Sequence, residues 1–141
     1  MKSFPFALLA ILFFLPAPVH AQLAKLTVVV SGLEPSTGTV EVSVFNSAET
    51  FMQKPLLQSS KKADGRSEST VEFAGLLEGS YAVVVVHDAN GNGVLDSGFL
   101  GMGGEHYAYS NDASSWLGRP GFEAASFSVG KEDVEILIGL E

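Results

Sequence analysis

Residues 81–87 read Tyr81-Ala82-Val83-Val84-Val85-Val86-His87, and the fold follows from what such a run requires. A strand with one wet face alternates apolar and polar residues. This strand-sized run is apolar on both faces, which predicts a central strand covered on both sides. Leu76-Leu77-Glu78-Gly79-Ser80 turns the chain into it. A tyrosine directly after such a turn matches the corner tyrosine of β-sandwiches, whose hydroxyl bonds nearby backbone.

The flanking segments supply neighbours of the complementary kind. Residues 25–31 are β-branched and apolar, with Leu26, Val28 and Val30 on one face. Residues 39–46 alternate, Val40, Val42 and Val44 against Glu41 and Ser43, which marks a half-buried strand. Residues 47–52 predict a helical turn with Ser47 as its cap. Residues 56–62 predict a short edge strand, where Lys61 and Lys62 discourage edge pairing. Asp64-Gly65 predicts a turn, and Ser69, Val71 and Phe73 alternate through 67–73. Residues 122–129 and 133–140 predict two more strands, the first with Phe127 and Val129 on one face, the second with Val134, Ile136 and Ile138. About seven short strands with little helix signal indicate a single all-β sandwich of immunoglobulin-like or transthyretin-like type. Residues 97–121 read as a long irregular connection, and its Phe99, Tyr107, Tyr109 and Trp116 argue that much of it packs down.

The amino terminus has a different character. Lys2 precedes an apolar run over 4–15, Pro16 and Pro18 break it, and Val19-His20-Ala21 suits a signal peptidase. Residues 1–21 therefore read as a secretory signal and 22–141 as the mature domain. The run is shorter than the roughly 20 residues a membrane span needs, and no later segment resembles a span. The expected location is the periplasm or the extracellular space. With no cysteine, an exported domain would depend on its core, with or without a metal, rather than on cross-links. A formal net charge of −8 disfavours nucleic acid and anionic membranes and is compatible with cations.

The segment after the central strand carries most of the recognisable chemistry. Asp88-Ala89-Asn90-Gly91-Asn92-Gly93-Val94-Leu95-Asp96 places oxygen side chains at alternate positions. Calcium takes six to eight such oxygens. Asp88, Asn90 and Asn92 occupy the first, third and fifth places of a wrapping loop. Gly93 allows the sharp bend at the sixth, the Val94 carbonyl serves at the seventh, and Asp96 serves at the ninth directly or through water. The twelfth position, where an EF-hand supplies a bidentate Glu, is Phe99, so a ligand must come from elsewhere. Glu105 is the first choice and Asp112 the second. Two acids and two amides predict weak binding, in the range of roughly 10⁻⁴ to 10⁻³ M for extracellular modules. Asn-Gly and Asp are also turn formers without any metal.

Other chemistries are less well supported. His87, Glu105, His106 and Asp88 could form a small hydrolase or isomerase site, with Ser110 or Tyr107 nearby, although His87 could equally end a strand with its ring hydrogen-bonded. Ser110 lacks the context of an activated nucleophile. Gly101-Met102-Gly103-Gly104 lacks the Lys and Ser/Thr of a phosphate cradle. Tyr107, Tyr109 and Trp116 could stack on sugar if they form a coplanar exposed strip, but packing is the commoner fate of such aromatics.

These residues carry a resemblance. Phe73, Gly79, Tyr81-Ala82-Val83, His87-Asp88, Asn90, Asn92-Gly93 and Asp96 resemble the bacterial family called domain of unknown function 2141, as do Gly101, Glu105, Tyr107, Ser110-Asn111, Ala113, Pro120, Phe122, Ala125 and Phe127. The resemblance implies an exported sandwich and transfers no catalytic residue. The loop is also similar to calcium-binding segments of B-type repeats in Gram-positive surface adhesins, departing from them after Asp96. Hydroxyisourate hydrolases share a related sandwich, but the chain closes on Ile138-Gly139-Leu140-Glu141 without their Tyr-Arg-Gly-Ser ending. The resulting expectation is an exported, non-catalytic sandwich that binds an unidentified protein or surface ligand and carries a calcium loop.

Overall fold

The computed structural model describes residues 21–34, 36–93, 105–114 and 118–140. Eight strands occur among them: β1 (Ala24–Ser31), β2 (Thr39–Phe45), β3 (Leu57–Lys62), β4 (Glu68–Leu76), β5 (Gly79–Asp88), β6 (His106–Tyr109), β7 (Phe127–Val129) and β8 (Val134–Gly139). One helical turn, α1 (Phe122–Ala125), precedes β7. The signal-like residues 1–20, along with Val94, Asp96, Phe99 and Trp116, lie outside the described residues.

The strands form two sheets, one ordered β4-β1-β8 and the other β3-β2-β5-β6, with β7 also paired to β5. Between them lies one apolar layer. Leu26, Val28 and Val30 of β1, Val40, Val42 and Val44 of β2, and Val83 and Val85 of β5 are fully buried there with Ile138 of β8. The alternation along β1, β2 and β4 thus builds the sandwich as the sequence predicts, and β3 lies at an edge with Lys61 and Lys62 exposed. β5 is covered on both faces. Tyr81, Val83 and Val85 enter the inter-sheet layer, while Ala82 and Val84 enter a second cluster with Phe45, Phe51, Tyr109, Phe122 and Ala125. Phe51 meets Phe45 and Phe122 edge-on, at centroid separations of 5.3 and 5.9 Å. The Tyr81 hydroxyl donates to the Leu77 carbonyl at 2.8 Å, which makes it the corner tyrosine the turn predicts.

Two expectations are corrected. The irregular stretch 97–121 contains a strand, β6. Four residues are too few to show a period, and its pairing with Val84–His87 comes from a distant part of the chain. The predicted strand over 122–129 begins instead as α1. Phe122 and Ala125, three residues apart, both face the second cluster, which a helical turn allows and a strand does not. The helical turn expected over 47–52 is a run of turns, in which Ser47 Oγ accepts the Thr50 N–H at 3.4 Å and the Thr50 carbonyl accepts the Lys54 N–H at 2.9 Å.

Candidate functional site

The loop begins where β5 ends. Thr39 of β2 pairs with Asp88, and the chain just before Thr39 supports the loop from beneath. Gly38 has φ +82°, and a Cβ there would fall 2.0 Å from the Asp88 carbonyl oxygen, so only glycine allows the two backbones to approach. Beside it, His87 Nε2 lies 2.7 Å from the Thr37 carbonyl. A carbonyl only accepts, so this nitrogen carries the hydrogen. The ring is 1% exposed. His87 therefore anchors the 36–38 segment to β5.

Asp88 is 7% exposed, and its carboxylate organises the loop. Oδ1 accepts the N–H groups of Gly91 at 2.7 Å and Asn92 at 3.3 Å. Oδ2 accepts the Gly93 N–H at 2.7 Å. Three successive amides can converge this way because Gly91 and Gly93 take φ of +70° and +71°, a conformation glycine adopts without steric cost. The Gly93 hydrogen bond, opposed by desolvation and helped by Gly91, Asn92 and a side-chain contact from Glu105, holds the Asp88 carboxyl below the usual carboxylate range.

Glu105 comes from just before β6, across residues outside the described set. Both of its carboxyl oxygens are buried, and its side chain interacts with the Asp88 carboxylate. The structure therefore brings the first-choice closing ligand to the loop. Asp112 sits beyond the far end of β6, exposed, with φ +47°. Asn90 and Asn92 are exposed, and Asn90 Oδ1 accepts the Asn92 N–H at 3.0 Å. Among the described residues no group of three or more His, Cys, Asp or Glu side chains gathers in metal-binding geometry. Val94 and Asp96 fall outside those residues.

The other sequence candidates have definite places. His106 pairs with His87 across β5 and β6 but is exposed. Ser110 is 1% exposed and hydrogen-bonded on both sides: Oγ accepts the Val83 N–H at 2.9 Å and donates to the Ala125 carbonyl. Tyr109 is buried and Tyr107 half exposed, and their rings meet at 80°, so these two do not form a coplanar platform. The sequence reading missed the bracing by Thr37 and Gly38. The one available signal was a glycine immediately ahead of a hydrophobic strand.

Fold and site together define a class: an all-β sandwich whose central strand ends in a carboxylate-capped glycine loop. The chain belongs to the bacterial family described as "Uncharacterized protein conserved in bacteria (DUF2141)", whose model matches residues 28–137. No curated protein and no solved structure matches it. No helix among the described residues is long and apolar enough to cross a membrane.

Proposed function

We propose that this is an exported, non-catalytic binding domain whose 88–96 loop takes up calcium and is stiffened by it to present a protein or surface ligand-binding face. The observation that carries the reading is the meeting of two buried carboxyl groups, Asp88 and Glu105, beside exposed amide side chains. Two charged carboxyls in contact repel, and either a nearby cation or a shared proton relieves the repulsion. The donors are hard oxygens, which suits calcium. Asp88 and Glu105 would supply charge, with Asn90, Asn92, the Val94 carbonyl and Asp96 as further donors. Calcium would supply only positive charge and coordination. Export rests on the apolar run near the amino terminus and the Val19-His20-Ala21 that follows it, which suits a signal peptidase.

The test is thermal melting of the 22–141 chain against calcium, for wild type, Asp88→Asn and Glu105→Gln. With 1 mM calcium and a Kd of about 0.1 mM, the wild type should gain about 1.4 kcal/mol and both variants little. A flat wild-type response would mean that a proton holds the pair and that the loop is a turn only.

A further inference from the structure

On the outer face of the five-stranded sheet, Met52, Val84, Val86, Tyr107, Tyr109 and Arg119 line a crevice of about 20 Å³. A broader open cleft of about 340 Å³ shares Tyr107 and Tyr109 with it. Tyr109 is 94% buried, as its 6% exposure implies, and its hydroxyl has no hydrogen-bond partner among the described residues. A buried donor without an acceptor carries its full desolvation cost, so it marks a place where an acceptor belongs. Arg119 forms no ion pair among the described residues. Burial, reinforced by Tyr107 and opposed by Arg119, pushes the Tyr109 phenol up, which keeps it a donor at neutral pH.

The shape of the crevice narrows the choice of acceptor. Its volume admits one water-sized group, and a retained water needs two to four polar partners. Met52, Val84 and Val86 offer none from their side chains, and the polar groups that remain, on Tyr107, Tyr109 and Arg119, can all donate, so the site calls for an acceptor. An oxygen attached to an apolar stem fits both the hydroxyl and these walls, and Arg119 favours an oxygen that carries negative charge. We propose that the crevice and the adjoining cleft recognise a carboxylate on a short apolar stem: one oxygen enters the crevice and accepts the Tyr109 hydroxyl, Arg119 balances the charge, and the stem lies in the cleft against the Tyr107 ring. The proposal does not depend on the calcium loop.

The test is an NMR titration of the 22–141 chain, following the Tyr109 ring and Arg119 Nε signals. The probes are sodium butyrate, neutral butyramide, and the tripeptide Gly-Gly-Val with a free carboxyl end. Saturable shifts with butyrate alone identify a small free acid, and saturable shifts with the tripeptide identify a chain terminus. Butyramide should bind about tenfold more weakly than the better acid, Tyr109→Phe should weaken that acid about tenfold, and Arg119→Gln should abolish the preference for acid over amide. Tyr109→Phe keeps the ring and removes a hydroxyl that bonds nothing, so its unliganded melting temperature should equal or exceed that of the wild type. The proposal is overturned if neither acid saturates, which is the result for a crevice holding water alone. It is equally overturned if Tyr109→Phe binds as well as wild type, if acid and amide bind alike, or if Tyr109→Phe melts lower.

Discussion

Asp88 shows how one side chain fixes a loop. Its carboxylate collects three backbone N–H groups within five residues, which lets a glycine-rich segment keep one shape. The backbone amides, Gly93 first, hold its pKa below the ordinary value of 3.8. The folded state thus favours the ionised form. The stabilisation is complete above the unfolded value and disappears as pH falls through the lower, folded one. In chelator, the wild-type melting temperature should therefore drop steeply as pH is lowered below about 3.8. Asp88→Asn should start lower at neutral pH and drop less over the same range. Parallel curves for the two proteins would show that Asp88 does not contribute in this way. The sequence made Asp88 and Glu105 visible as oxygen donors. It gave no sign that the loop's own amides would claim so much of Asp88, because that depends on two glycine φ angles.

At the scale of elements, the edge beside β5 is one strand in two pieces. β6 pairs with Val84–His87, β7 pairs with Gly79–Tyr81, and both run antiparallel to β5. Ala82 and Val83 fall at the break, where the chain leaves the edge over 110–126 and packs Phe122 and Ala125 onto the outer face. Ser110 closes the gap by giving Val83 the acceptor that a continuous strand would have given. Ser110→Ala leaves that buried N–H unpaired and should cost about 1–3 kcal/mol in urea unfolding, with no change in far-ultraviolet circular dichroism. A loss near zero would mean that water reaches the break. A lone serine in an aromatic segment announces none of this, since its role exists only once two strand fragments line up along a third.

The whole molecule has two cores of unequal reach. The inter-sheet layer draws on both sheets, whereas the outer cluster rests on one sheet and is roofed by α1 and the turns after β2. Regions with less buried contact open at lower free energy than the global transition. Truncating a large aromatic side chain in a core costs about 3–5 kcal/mol. Phe122→Ala should spend much of that locally. Amide exchange should speed up across the described residues of 110–126, while β1, β2 and the middle of β5 keep protection close to the global value. Uniform acceleration throughout the chain would show that the two cores unfold together.

The sequence by itself determined the all-β class, the strand faces, the burial of residues 81–87 on both sides and the corner tyrosine, and it displayed the oxygen-bearing side chains of the loop. Each of these follows from local alternation or from residue chemistry, which a linear chain displays directly. Only the tertiary structure decided that β8 lies parallel to β1, that β6 exists, that 122–125 coils rather than extends, and that Glu105 reaches Asp88. Those outcomes depend on which distant segments share a hydrogen-bond ladder or a buried face, and no local pattern in the chain encodes such a pairing.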